Sequence, residues 1–109
     1  MKLPRARPEG IRLGGRQWRF RFRRPGRMAG IAGRAQLAQS LLDISEGQSP
    51  TDEADTVLHE VFHAILYCQG RENGGKVEET YVRALSTGLM AALHDNPQFA
   101  QWLLGTIPK

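Results

Sequence analysis

Residues 55–65 read Asp55-Thr56-Val57-Leu58-His59-Glu60-Val61-Phe62-His63-Ala64-Ile65, and the rest of the chain can be read outward from them. Leu58, Val61, Phe62 and Ile65 recur at helical spacing and predict an apolar stripe. His59 and His63 stand four residues apart, so one helix face carries both imidazoles. They fall beside that stripe, at the rim of a core rather than inside it. Two ring nitrogens at this spacing form a metal-binding pair. Glu60 is a carboxylate placed to take a proton from a water that the metal activates.

The helix start is written just upstream. Ser49 can cap, Pro50 suits the first turn, and Asp52 completes a capping box. Gly70 marks the end, so the helix is expected to reach Cys68 or Gln69. Arg71 to Gly75 reads as a polar loop, and a second helix fits Lys76 to His94. Val77, Tyr81, Leu85, Gly88, Leu89 and Ala92 are the positions expected on its buried side. Gly88 in a helix interior costs about 1 kcal/mol, which close contact with the first helix would explain. Asp95-Asn96-Pro97 breaks the chain, and residues 97–104 are expected to form a short final helix carrying Phe99, Trp102 and Leu103.

Zinc in a hydrolase commonly takes three protein ligands and leaves one position open. The loop lets the second helix fold back on the first, which brings Glu78 and Glu79 within consideration. Glu78 points into the middle of the expected apolar stripe. Glu79 lies at its edge, as His59 and His63 do on their helix, so phase favours Glu79 as third metal ligand over Glu78. Tyr67, Tyr81 and His94 come into consideration as donors to a developing oxyanion, but no spacing singles one out: Tyr81 equally suits the core, and His94 suits a helix cap or the surface. Asp55 is either a support for a ligand or a favourable charge in the first turns of the helix.

These residues carry a resemblance. Asp55 to Ile65, then Glu78-Glu79-Thr80-Tyr81-Val82-Arg83-Ala84-Leu85, Gly88-Leu89 and Asp95-Asn96-Pro97 resemble the small phage and prophage zinc-peptidase-like proteins, which are similar to minimal gluzincins; the likeness covers about residues 11–104. It implies that His59 and His63 bind Zn2+, that Glu60 is the catalytic acid–base, and that a glutamate on the following helix, matched best by Glu79, completes the metal site. Glu79-x-x-Val82 stands where better-known gluzincins have Glu-x-x-Ala or Glu-x-x-x-Asp. The resemblance implies a peptide or protein substrate and a phage or host protein as partner.

Upstream, Trp18-Arg19-Phe20-Arg21-Phe22-Arg23 alternates with period two, so Trp18, Phe20 and Phe22 should face the core and the arginines water. Ile11-Arg12-Leu13 begins a strand, and Gly14-Gly15 between them signals a hairpin. Residues 26–35 read as a loop, in which Gly30-Ile31-Ala32-Gly33 is a turn or bulge. A further strand runs from near Gln39 to Ile44. The expected fold is α+β: a small antiparallel or mixed sheet of about three strands, packed on a zincin-like pair of helices with a short C-terminal helix. Residues 1–10 form a flexible tail, and residues 11–109 a single domain.

Bulk properties agree with one small folded unit. The chain has 109 residues, of which 40% are apolar and 24% charged. So small a core would gain from a bound metal. Cys68 is the one cysteine, which excludes an internal disulfide and fits a reducing compartment. No run approaches the ~20 apolar residues of a membrane span, and Met1 to Arg5 leads into no apolar leader, so a cytoplasmic location without membrane contact is expected. The net charge of +4 is uneven, with ten arginines from Arg5 to Arg34. A solvated sheet face explains them more simply than nucleic acid does, because no nucleic-acid motif accompanies the charge. The rival to a peptidase is a non-catalytic, metal-stabilised binding module that uses this arginine-rich region to hold nucleic acid or a protein partner.

Overall fold

A computed structural model describes residues 6–106. Four strands precede three helices: β1 (Gly10–Leu13), β2 (Arg16–Arg23), β3 (Gly33–Gln36), β4 (Leu41–Ser45), α1 (Pro50–Cys68), α2 (Lys76–Asp95) and α3 (Pro97–Thr106). The sheet order is β1-β2-β4-β3. β1 and β2 pair antiparallel, β2 and β4 parallel, and β3 and β4 antiparallel, so the sheet is mixed. α1 packs on one face of it, α2 packs on α1, and α3 packs on α2. No helix among the described residues is long and apolar enough to cross a membrane.

Local chemistry explains most of these elements. Gly14 (φ 59°) and Gly15 (φ 76°) both adopt the left-handed backbone that a tight two-residue hairpin turn demands. The alternation of β2 puts Trp18 and Phe20 into the core with Leu42 of β4 and with Val61 and Ala64 of α1. Tyr67 meets the Trp18 ring edge-on, with centroids 6.1 Å apart. Ser49 caps α1, its hydroxyl accepting from the Asp52 amide at 3.1 Å.

On the helix-free face, β4 carries Asp43, which has no solvent exposure. Arg21 and Arg34 sit directly across from it on the flanking strands. Arg21 donates two hydrogen bonds to it, at 2.7 and 3.0 Å, Arg34 one at 3.1 Å and Gln36 one at 2.8 Å. The β2 arginines are therefore not simply solvated: Arg21 and its neighbours neutralise a buried carboxylate. Burial alone would raise the Asp43 pKa, but the Arg21, Gln36 and Arg34 hydrogen bonds outweigh it and hold the group below its ordinary value.

Three expectations need correction. Within residues 26–35 the structure has a fourth strand, β3, which pairs on the outer edge of β4. Gly33-Arg34-Ala35-Gln36 lacks β-branched residues and a clean alternation, so nothing in its sequence announces a strand. Secondly, α2 turns Glu78, Val82 and Ser86 inward and leaves Val77, Tyr81 and Leu85 more than 60% exposed. That apolar stripe instead borders a surface groove with Phe62, Ile65 and Leu66 of α1. Gly88 follows the same rotation: it is exposed, and an added Cβ would meet nothing within 4 Å, so no helix contact explains it.

The short final helix forms as expected, and Phe99 and Trp102 on it are largely exposed, because α3 packs chiefly against α2. Lastly, part of the expected N-terminal tail is held. Residues 1–5 lie outside the described residues. Arg7, however, makes a two-bonded ion pair with Glu53 at 2.7 and 3.0 Å and stacks over the Phe22 ring, and Gly10 belongs to β1.

Removing the Asp43 carboxylate leaves three partly shielded guanidinium groups facing one another. Asp43→Ala is expected to lower unfolding stability by about 2–3 kcal/mol at neutral pH, measured by urea titration. Because the folded pKa lies below the ordinary 3.8, the stabilisation is complete above that pH and is lost as the pH falls through the folded value. The gap between variant and wild type should therefore narrow on acidification.

Candidate metal centre

The site forms where α1 and α2 meet beside β3. Its first determinant is the loop between the helices. Gly70 (φ 69°) ends α1, and the chain reverses through residues 71–75. The amides of Asn73 and Gly74 donate to Glu78 Oε1 at 2.8 and 3.4 Å. The other oxygen of Glu78 accepts from His63 Nδ1 at 2.6 Å. A carboxylate can only accept, so Nδ1 carries the proton and the Nε2 lone pair of His63 faces away from Glu78.

The Nε2 edge of that ring faces Glu79. Glu79 Oε2 lies 2.9 Å from His63 Nε2, and Glu79 Oε1 lies 2.8 Å from His59 Nε2. The two Nε2 atoms are 3.3 Å apart. His59, His63 and Glu79 each offer one ligand atom within 4.8 Å of the others, and the group could hold a metal ion. Two ring nitrogens and a carboxylate oxygen converge here, and a cation is what such a ligand set accommodates. Both glutamates weighed from sequence thus reach the histidines, but in different ways. Glu79 meets the Nε2 atoms of both rings, and Glu78 fixes the orientation of one ring from behind, as carboxylates beside metal-binding histidines do.

Glu60 is only 6% exposed and projects into the same cavity. Burial pushes its pKa up to about 7, with Glu79 adding to the rise and His63 opposing it. Burial also lowers the His59 pKa, against the attraction of Glu79. Glu78 and Glu79 both sit below the ordinary value. For each, burial acts upward, and it is outweighed in Glu78 by the loop amides and His63 and in Glu79 by His59, His63 and Arg83.

The cavity measures about 880 Å³ and runs between β3 and the two helices. Gly33 and Ala35 of β3 form one wall. A Cβ at Gly33 would come within 2.7 Å of Thr56 Cγ2 and 2.9 Å of Glu60 Oε2, so the strand approaches the buried carboxylate closely because residue 33 has no side chain. By sequence Gly33 belongs to a turn or bulge. Its usable signal was that a glycine inside a strand marks close approach, but the strand itself was missed. Arg83 was also overlooked: it lines the cavity and donates to Glu79 Oε1 at 3.3 Å, one helical turn on.

None of the three residues considered as oxyanion donors lines the cavity. Tyr67 packs on Trp18, Tyr81 is exposed on the opposite side of α2, and His94 is exposed beside Asp95. Asp55 does line it, and accepts from the Thr87 hydroxyl at 3.1 Å. It braces α1 against α2 and bonds to neither histidine.

No protein family, curated protein or solved structure matches this chain.

Two measurements check the geometry. Between pH 4.5 and about 7 the folded protein keeps a proton on Glu60 that the unfolded chain has released, so this residue costs stability progressively across that window. In chelator-treated protein, Glu60→Gln should therefore match wild type near pH 4.5 and exceed it by about 2–3 kcal/mol above pH 7, read by urea unfolding. Gly33→Ala should lower stability by about 1–3 kcal/mol, because both Thr56 and Glu60 must shift.

Proposed function

We propose that this protein is a zinc-dependent peptidase in which His59, His63 and Glu79 hold the metal and Glu60 is the general acid–base. One observation carries the reading. Two imidazole nitrogens and a carboxylate oxygen converge beside a separate buried carboxylate whose pKa is raised to about 7. Two histidines and one carboxylate are a donor set that suits zinc and leaves a coordination position open. A bound zinc ion would supply Lewis acidity, acidifying water and polarising a carbonyl.

The protein's own groups do the rest. A base with a pKa near neutrality is matched to taking a proton from water and returning it to a departing amine. Glu60 lies one residue from His59 on α1 and shares the cavity with both rings, so both transfers are local to one side chain. Glu78, through His63 Nδ1, keeps the Nε2 lone pair aimed at the site. Arg83 is the cation nearest Glu79 and is available to a substrate carbonyl or carboxylate. β3 is an edge strand that walls the cavity, so an extended peptide can add along it by main-chain hydrogen bonds. That arrangement favours a peptide as substrate over a compact small molecule.

Protein purified without added metal should carry close to one zinc per chain, and His63→Ala should lose it. Glu60→Gln should keep the zinc while peptide cleavage falls by about a thousandfold or more. Absence of zinc from wild type removes the reading altogether. Zinc-loaded wild type that cuts no member of a broad peptide library removes the catalytic part and leaves a metal-stabilised module.

A further inference from the structure

The sheet face that no helix covers is paved with arginine. Trp18, Phe20, Leu42 and Ala35 point toward α1, so the alternate positions point away from it. Those positions are Arg12 on β1, Gln17, Arg19, Arg21 and Arg23 on β2, Leu41, Asp43 and Ser45 on β4, and Arg34 and Gln36 on β3. Five guanidinium groups thus share one surface with one carboxylate. Asp43 pairs with three of them, Arg21 at 2.7 Å, Arg34 at 3.1 Å and Arg23 at 3.8 Å. One negative charge beneath three positive ones leaves the cluster strongly cationic. Arg19 is exposed beside it.

Asp43 also does something that simple neutralisation would not need. It binds Arg21 through Nε and Nη2 and Arg34 through Nε, so each guanidinium is anchored by its inner edge and keeps outer N–H groups for another acceptor. Anchoring removes side-chain freedom before any ligand arrives, which lowers the entropy lost on binding. Along β2, alternate arginines stand about 6.6–6.8 Å apart.

We infer that this arginine face binds the phosphodiester backbone of nucleic acid, in a manner independent of base sequence. Charge complementarity selects the partner. Apart from Leu41 the face has no large apolar residue, so it lacks the dry centre that a protein partner would need. It also carries no aromatic ring, so bases have nothing to stack on, and contact is confined to phosphates. The metal site lies on the opposite side of the sheet, and the inference stands apart from the peptidase reading.

The test is fluorescence anisotropy of full-length protein with two 20-base-pair DNA duplexes of unrelated sequence, across a salt series. Wild type should bind both equally, losing about 100-fold in affinity between 50 and 200 mM salt, as expected for three or four phosphate contacts. Arg19→Glu with Arg23→Glu should abolish binding at the higher salt and flatten the salt slope by about two. Arg71→Glu with Lys76→Glu makes the same change in net charge on the helix side and should leave the slope as in wild type. Circular dichroism establishes that both double variants are folded, and Arg19→Ala alone, which disturbs nothing at Asp43, should lower the slope by about one.

Three results overturn the inference: no binding of wild type at low salt, equal loss in both double variants, or binding of poly-glutamate as tight as that of DNA. A preference above tenfold for one duplex would overturn the sequence-independent contact.

Discussion

A carboxylate placed between two packed helices must find hydrogen-bond donors, and Glu78 finds them in the Asn73 and Gly74 amides and in the His63 ring. This one side chain ties the reversal between α1 and α2 to the orientation of an imidazole. It also sets the rotation of α2. With Glu78 inward, Val82 and Ser86 must follow one and two turns later, and Glu79 arrives at the lip of the cleft facing both rings. Val77, Tyr81 and Leu85 are carried outward by the same rotation. The polar demand at one position outranks the apolar stripe beside it.

What the sequence disclosed and what it hid divide along that line. His59, Glu60 and His63 are legible because a helix maps a four-residue spacing onto one face regardless of what surrounds it. The capped start at Ser49, the Gly14-Gly15 turn and the inward Trp18 and Phe20 are legible for similar reasons, since each depends on a few adjacent residues. The phase of α2 was not, because the apolar stripe rule assumes that the greasiest face is the buried one. β3 was hidden because its four residues owe their strand conformation to pairing with β4, and Gly33 lacks a side chain where the strand approaches Thr56 and Glu60. Glu79 could be reached from sequence, but the complementary role of Glu78 needed the loop amides, which have no signature in residue type.

The sheet separates two electrostatic systems. On the α1 side, acidic groups outnumber the charges that oppose them, and a cation would complete the cluster. On the other, guanidinium groups outnumber the carboxylate that anchors them, and an anion would do so. Asp43 and Glu78 play parallel parts, each a buried acid that orients cationic or ring donors around it. In both places the buried carboxylate faces inward and the surplus charge faces the solvent.

The strand order has a consequence for how the chain assembles during synthesis. β4 occupies the middle of the sheet, between β2 and β3, yet it is the last strand to be made. Until residue 45 has emerged from the ribosome, β2 and β3 share no neighbour, and the aromatic side of β2 lacks its Leu42 and Ile44 lining. The β1–β2 hairpin can close early because its ends are adjacent, whereas the parallel pair must first close a loop across the β3 excursion. Pairing of β4 is therefore what closes the sheet, and the same pairing sets Asp43 between Arg21 and Arg34.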